Sequence, residues 1–267
     1  MEHPFTRTAA APEDFASLLR SRGLYPVVPA PAGGGPAPGA VTTTQATTIL
    51  AFKFADGVLV AGDRRATAGN VVVYDRADKV LEIDKYSLMA IAGVPATAWE
   101  MARVLEHSFQ FYRRSQLQEM SLDGKVRALS KLLRDNLGFV MQGVGVVVPI
   151  FATHDLEADV SRLYFYDAMG AQFEVADFAA TGSGSPAVRS VLHYENTWGS
   201  KPLAKRKEED AVLLALRALD TAAESDTATG GVDRRGQVYP VVKIVSREGI
   251  ATLPEKHLAR LFKKHVA

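Results

Sequence analysis

The sequence predicts an α+β protein in which two antiparallel β-sheets stack together and helix pairs cover the outer faces, a four-layer αββα sandwich. Strand-like runs occur in two groups, and each group is followed by two helical stretches. This order differs from the strict strand–helix alternation that is typical of a parallel sheet. The opening strands Thr48 to Phe54 and Val58 to Gly62 flank Ala55-Asp56-Gly57, and Asp-Gly between apolar runs indicates a hairpin.

The other elements follow from residue periodicity. Further strands are predicted at 71–74, 79–83, 88–92, 144–153, 163–167, 173–175, 178–181 and 238–245. Apolar residues at helical spacing predict one long helix from Ala98 to Tyr112 and a second from Val126 to Val140. Three more helices are expected: one after Ser185-Pro186, one around 212–219, and a terminal helix opened by Pro254.

Composition excludes several classes of function. Lys and Arg total 31 against 30 for Asp and Glu, a net charge of +1, so no basic surface for nucleic acid is expected. With no cysteine, the chain has no disulfide, thiolate metal site or thiol nucleophile. The six histidines lack metal-ligand spacing, so we expect no metal. Without a long apolar run or a secretory signal, we expect no membrane insertion and a cytoplasmic location.

The chain divides near residue 46. Residues 1–46 contain seven of the thirteen prolines, and 26–40 read PVVPAPAGGGPAPGA. Such a segment buries too little apolar surface to offset the entropy lost on ordering, so we expect a leader that is largely disordered. A short helix from Asp14 to Arg22 is the exception that periodicity allows. Residues 47–267 form the folded unit.

A threonine, an aspartate and a lysine are candidates for chemistry. Thr47 begins the first strand, Asp63 follows sixteen residues later, and Lys79 follows after another sixteen. The predicted hairpin brings Asp63 back to the start of the first strand, and Lys79 lies on a neighbouring strand. A threonine hydroxyl needs a nearby base to become a nucleophile, and a buried lysine loses proton affinity while an aspartate orients it. Taken singly, the three residues are an ordinary linker threonine, turn aspartate and strand lysine.

Other motifs carry less weight. Residues 182–187 fit the dinucleotide pattern G-x-G-x-x-A, but the strand before them is predicted to be antiparallel, so no cofactor is expected. The basic pairs Arg64-Arg65 and Arg113-Arg114 are interpreted as solvated faces or intersubunit contacts.

From Thr47 to its end, the chain resembles a β subunit of the core proteasome, most closely the actinobacterial type. The matching segments are TTILAFKFADGVLVAGDRRATAGN (47–70), DKV (78–80), IAG (91–93), TGSGS (181–185) and SDTATGG (225–231). The resemblance implies an N-terminal nucleophile hydrolase fold and threonine endopeptidase activity. It also implies that residues 1–46 are a propeptide, removed autocatalytically between Ala46 and Thr47.

The resemblance assigns roles residue by residue. Thr47 matches the nucleophile, Asp63 the acid that holds the lysine, and Lys79 the lysine that lowers the pKa of the hydroxyl. Gly93 matches the glycine whose N–H points at the developing oxyanion. Three positions match the residues around the amino group: Ser183, Asp226 and Thr229.

The resemblance also implies a substrate site. Thr67 matches the position that pairs with the substrate backbone as an added strand. The pocket for the side chain before the cut is lined by uncharged residues: Ala66, Ala77, Leu81, Ile91, Pro95 and Trp99. Such a pocket favours large apolar or aromatic side chains, since a charged one would lose its hydration without a partner.

Assembly and processing complete these expectations. The family forms a homo-oligomeric, seven-membered β ring against an α ring, and an ATPase ring feeds it unfolded or tagged proteins. Ala46 stands where the family usually has glycine, and we expect its methyl to slow the attack on the preceding carbonyl. The alternative function is therefore an unprocessed, non-catalytic structural subunit of the β ring.

Overall fold

The computed structural model describes residues 15–22, 47–68, 71–233 and 238–266. Two five-stranded antiparallel sheets and one two-stranded sheet are present in this part of the chain, with helices between and after the strands. The mixed α+β class predicted from the sequence is confirmed.

The strands and helices have the following bounds. The strands are β1 Thr48–Phe54, β2 Gly57–Gly62, β3 Ala66–Ala68, β4 Val71–Tyr74, β5 Val80–Asp84, β6 Ser87–Ala90, β7 Ile150–Asp155, β8 Val160–Tyr166, β9 Gln172–Glu174, β10 Phe178–Gly182, β11 Val241–Ser246 and β12 Gly249–Thr252. The helices are α1 Phe15–Ser21, α2 Pro95–Gln116, α3 Leu122–Asp135, α4 Leu137–Val140, α5 Ser185–Thr197, α6 Glu208–Ser225 and α7 Glu255–Val266, with a 3-10 turn at Leu203–Lys205.

The first sheet is built around the predicted hairpin. β1 and β2 pair antiparallel from Ile49 opposite Gly62 to Phe54 opposite Gly57, and this sheet has the order β10-β1-β2-β11-β12. The second large sheet has the order β5-β6-β7-β8-β9. β1 and β2 are therefore central strands, and the end of β2 lies beside the start of β1.

Three clusters of buried side chains show how the layers pack. One cluster lies between the sheets and draws on β1, β2, β6 and β7. Another joins the outer face of the first sheet to α5, α6 and α7, and the third joins the second sheet to α2 and α3. Alternate residues of β1 enter different clusters: Ile49 and Ala51 face the other sheet, whereas Leu50 and Phe52 face the helices. The order of layers is helix, sheet, sheet, helix.

Several predicted boundaries were wrong, and three of them are informative. The second long helix ends at Asp135, where the N–H of Asn136 is shared between the carbonyls of Leu132 and Leu133, and the short α4 follows. The strand predicted at 144–153 begins only at Ile150, after positive φ angles at Gly143 and Gly145. The strand predicted to start at residue 238 begins at Val241, since Pro240 has no N–H for a strand ladder.

The short helix predicted in the leader is present as α1, which packs against α2. The ring of Phe15 stacks on His107 with centroids 5.7 Å apart and lies 6.0 Å from the ring of Phe111. The rest of the leader, including Ala46, lies outside the described residues.

A substitution at Leu129 tests the packing of α3. Leu129 is fully buried between α3, α2 and the second sheet, so Leu129→Ala should lower the free energy of unfolding by about 2–5 kcal/mol. Leu156→Ala is the matched control, because Leu156 is 52% exposed, and a change within about 0.5 kcal/mol is expected. Urea unfolding followed by circular dichroism measures both, and equal losses would contradict this packing.

Candidate active site

Thr47 immediately precedes β1 and is buried against β10. Its carbonyl oxygen accepts a hydrogen bond from the N–H of Ser183 at 3.1 Å, and its residue is only 3% exposed. Gly182 makes this approach possible, since its φ is +100° and a Cβ there would overlap the Thr47 carbonyl. The strand pairing therefore fixes the peptide that carries the candidate nucleophile.

The carboxylate of Asp63, directly after β2, is fully buried and accepts four hydrogen bonds. Oδ1 receives the backbone N–H of Thr48 at 2.8 Å and the ammonium Nζ of Lys79 at 2.7 Å. Oδ2 receives the backbone N–H groups of Arg65 and Gly230, each at 2.9 Å. The same oxygen thus contacts Lys79 and the residue next to Thr47, as the predicted hairpin requires.

Lys79 is 4% exposed and lies one residue before β5. Besides Asp63, its Nζ donates to the carbonyl oxygen of Arg65 at 2.5 Å. Burial lowers the pKa of Lys79 below its ordinary value; the attraction of Asp63 opposes this and the charge of Arg65 adds to it. Lys79 consequently gives up its proton more readily than an exposed lysine, a property suited to accepting a proton from a hydroxyl.

A second acidic group, Asp226, follows α6. Its Oδ2 accepts the hydroxyl of Ser183 at 2.6 Å and that of Thr229 at 2.5 Å, and its Oδ1 accepts the N–H of Ala228 at 3.1 Å. Burial raises the pKa of Asp226, but these hydrogen bonds outweigh it and hold the pKa below its usual value. The structure thus brings together Ser183, Asp226 and Thr229, the three residues singled out for the surroundings of the amino group.

Sequence reasoning missed Thr48. Its Oγ1 lies 2.5 Å from Oγ1 of Thr229 and accepts the N–H of Gly184 at 2.9 Å. Both threonine side chains are fully buried. A polar residue at the start of an otherwise apolar strand was the available signal, but a strand pattern alone gives no partner for such a hydroxyl.

Arg64 and Arg65, interpreted as a solvated face or an intersubunit contact, are half-buried and both donate to backbone carbonyls of this chain. Nη1 of Arg65 donates to the carbonyls of Thr227 and Thr229 at 2.8 and 3.2 Å, which ties the Asp63 loop to the loop after α6. Arg64 donates through Nε to the carbonyl of Tyr239 at 2.8 Å, and its side chain is only 21% exposed.

Gly93 lies three residues after the end of β6. The N–H of Ile91, two residues earlier, donates to the carbonyl of Lys79 at 2.9 Å. Gly93 itself has a φ of +118°, and a Cβ there would overlap the carbonyl oxygen of Val146. A side chain is therefore excluded at this position, whereas its role toward an oxyanion stays a prediction.

The predicted substrate residues lie on several elements. Thr67 is buried in β3 and is paired with Val72 of β4. The pocket positions divide by burial into three groups: Ala66, Ala77 and Ile91 are buried, Leu81 and Pro95 are half-buried, and Trp99 is exposed. Ile91 and Leu81 also contact the core beneath α2. A shared pocket for the six side chains stays a prediction.

The described residues include neither a candidate membrane span nor a candidate metal site. None of the helices there is both long and apolar enough for a bilayer. In the same part of the chain, no three His, Asp or Glu side chains are arranged to hold a metal ion.

Comparison with known proteins identifies the family. The sequence profile described as "Proteasome subunit" matches residues 43–236. The chain belongs to the proteasome subunit family. The chain is 41% identical over 217 residues to "Proteasome subunit beta 2" of Thermomonospora curvata. The aligned residues cover 80% of this chain and 74% of that relative.

Two further relatives carry the name "Proteasome subunit beta". The protein of Streptomyces griseus is 36% identical over 228 residues, covering 85% of this chain and 78% of the relative. The protein of Acidimicrobium ferrooxidans is 37% identical over 248 residues, covering 93% of this chain and 87% of the relative. The residues matched by the proteasome profile include Thr47, Asp63, Lys79, Ser183, Asp226 and Thr229. Strands β11 and β12 and helix α7 lie beyond the matched residues.

The lowered pKa of Lys79 is measurable by NMR with lysine labelled at Cε. The Lys79 signal, assigned from its absence in Lys79→Arg, should titrate below the ordinary lysine pKa of 10.5. In Asp63→Asn the titration should move lower still, because burial remains while the carboxylate's attraction is lost. A Lys79 signal that titrates at or above the ordinary lysine value would contradict this electrostatic description.

Proposed function

We propose that this chain is a threonine endopeptidase subunit of a proteasome core and that removal of residues 1–46 exposes Thr47 as its nucleophile. One observation carries the proposal: Oδ1 of Asp63 binds both Nζ of Lys79 and the N–H of Thr48. The buried lysine, with its lowered pKa, is thereby held next to the peptide of Thr47. Membership of the proteasome subunit family supports the same reaction.

In the proposed reaction, the Thr47 hydroxyl oxygen attacks the carbonyl carbon of a substrate peptide bond. The hydroxyl proton passes to a basic nitrogen, either neutral Lys79 or the free amino group of Thr47, which has an ordinary pKa of about 8. The N–H of Gly93 stabilises the oxyanion. The C–N bond then breaks, the leaving nitrogen takes up the proton, and water hydrolyses the ester to restore the hydroxyl and release the acid.

Leader removal uses the same hydroxyl on the chain's own peptide bond. Thr47 Oγ1 adds to the carbonyl carbon of Ala46, the bond to the Thr47 nitrogen breaks, and that nitrogen becomes the free amino group. Water then hydrolyses the ester and releases residues 1–46. The peptide after the cut is already held in place, by Ser183 at the Thr47 carbonyl and by Asp63 at the Thr48 nitrogen.

The proposed setting is a cytoplasmic particle. The relatives named as β subunits support assembly of this chain into a homo-oligomeric β ring that stacks on a ring of α subunits. A seven-membered ring, an ATPase ring and unfolded or tagged protein substrates belong to the same proposal.

Ala46 supports a second candidate, a structural subunit that keeps its leader and has no activity. Intact-mass measurement of the assembled particle separates the two functions, because loss of residues 1–46 requires a working Thr47. A particle in which every chain keeps its leader would favour the structural role.

Thr47→Ala should abolish both leader removal and peptide cleavage, because the nucleophilic oxygen is lost. Lys79→Ala should have nearly the same effect, since the buried proton acceptor is lost. Thr44→Ala is the control: it removes a neighbouring threonine that leaves with the leader, and normal rates are expected. Intact mass and a fluorogenic-peptide assay of the assembled core measure both steps. Turnover by Thr47→Ala at the wild-type rate would contradict the assignment.

Cleavage should be fastest after large apolar or aromatic residues. Each buried methylene contributes about 0.8 kcal/mol, and the six predicted pocket residues include no carboxylate to pair with Lys or Arg. A peptide series that differs only at the residue before the cut should rank Leu and Tyr above Arg and Glu. Faster cleavage after Arg than after Leu would show that these residues do not form the pocket.

A further inference from the structure

Thr48 contacts both halves of the site, and the reaction described above gives it no role. Its backbone is paired with Asp63, through its N–H to Oδ1 at 2.8 Å and through its carbonyl, which accepts the Asp63 N–H at 3.0 Å. Its side chain contacts Thr229 and Gly184 on the other side. This one residue therefore connects the Asp63–Lys79 pair with the group around Asp226.

The hydrogen bonds of the side chain run in one direction. An ionised carboxylate only accepts, so the single hydroxyl proton of Thr229 is used in its 2.5 Å bond to Asp226. Thr48 must then donate its own proton to Thr229, and it accepts the N–H of Gly184. The hydrogen bonds therefore run from the Gly184 N–H to Thr48, from Thr48 to Thr229, and from Thr229 to the accepting carboxylate of Asp226.

Water has no access to the two threonine hydroxyls. Thr48 and Thr229 are both 0% exposed. A Cβ at Gly184 would lie 2.6 Å from the Thr229 hydroxyl oxygen and 2.7 Å from that of Thr48, so the backbone closes over the pair. Loss of the Thr48 hydroxyl would leave the Gly184 N–H and one lone pair of Thr229 without partners in a buried position, which is costly.

We propose that Thr48 is a positioning residue for the reaction of Thr47, an inference that rests on the proposed function. The Thr229 hydroxyl oxygen has two lone pairs, and one accepts from Thr48. With its proton on Asp226 and one lone pair on Thr48, Thr229 has a fixed orientation beside the residue that follows Thr47. The Thr48 hydroxyl thus sets the position of Thr229 and Asp226 relative to Thr47.

Complete burial of Thr48 limits how it acts. A side chain with no exposed surface makes no contact with a bound peptide, so Thr48 affects turnover and leaves substrate affinity unchanged. This separates it from the exposed members of the predicted pocket, such as Trp99, whose loss should raise KM.

Three substitutions separate the hydroxyl from the shape of the side chain. Thr48→Val keeps the shape and suits a strand, Thr48→Ala is too small to clash, and Thr48→Ser keeps the hydroxyl. Each variant is assembled as the full chain into the core particle. The leader is followed by intact mass, and kcat and KM are determined per processed chain. Thr48→Val and Thr48→Ala should lower kcat by about 10- to 100-fold and leave KM within about twofold. The kcat of Thr48→Ser should stay within about threefold of wild type.

Several outcomes would overturn this role. The role would be overturned if Thr48→Val kept the wild-type kcat, or if Thr48→Ser were as slow as Thr48→Val. A change confined to KM would overturn it as well. If Thr48→Val and Thr48→Ala keep their leader, the rate of leader removal is measured instead of kcat. Normal leader removal in Thr48→Ser would support the role, and a leader retained in all three variants would overturn it. Failure of the proposed function looks different, because wild type itself would then be inactive, or Thr47→Ala would be as active as wild type.

Discussion

The carboxylate of Asp63 is the group on which the rest of the site depends. It is fully buried, and its four donors come from β1, from the loop after β2, from the residue before β5 and from the loop after α6. A buried charge is tolerated only where donors satisfy it, so these four segments are held in a fixed arrangement by one side chain. The hairpin of β1 and β2 places Asp63 beside the start of β1, so the site follows directly from the topology of the first sheet.

The burial of Lys79 affects stability as well as chemistry. Its folded pKa lies below the ordinary value of 10.5, so in the window between the two the unfolded chain binds the proton and the folded chain does not. The free energy of unfolding therefore rises with pH across that window. Below that window the fold carries the cost of a buried ammonium, which Asp63 offsets only in part. Such costs are common where a group is tuned for proton transfer.

Much of this architecture was predictable from the sequence, for reasons that particular residues make clear. Asp56-Gly57 between apolar runs located the central hairpin, and with it the meeting of Thr47, Asp63 and Lys79. The contacts of Thr48 with Thr229 and of Arg65 with Thr227 were not predicted, because the partners are more than 160 residues apart in sequence. The strand predicted at 144–153 was wrong in its first half, because Gly145 has a positive φ and Pro149 has no N–H for a strand ladder, so regular pairing begins only at Ile150.

The packing of α1 on α2 has a consequence for the order of events under the proposed cleavage. In the precursor, residues 1–46 are held at two points, by the peptide bond to Thr47 and by the packing of α1 on α2. Cleavage of that bond removes one point and leaves the severed leader tethered to the particle through α1. Departure of the leader then depends on α1, a seven-residue helix whose aromatic contacts contribute about 1 kcal/mol each. Cleavage and release are therefore separate steps, and a more tightly packed α1 would turn the severed leader into a product inhibitor.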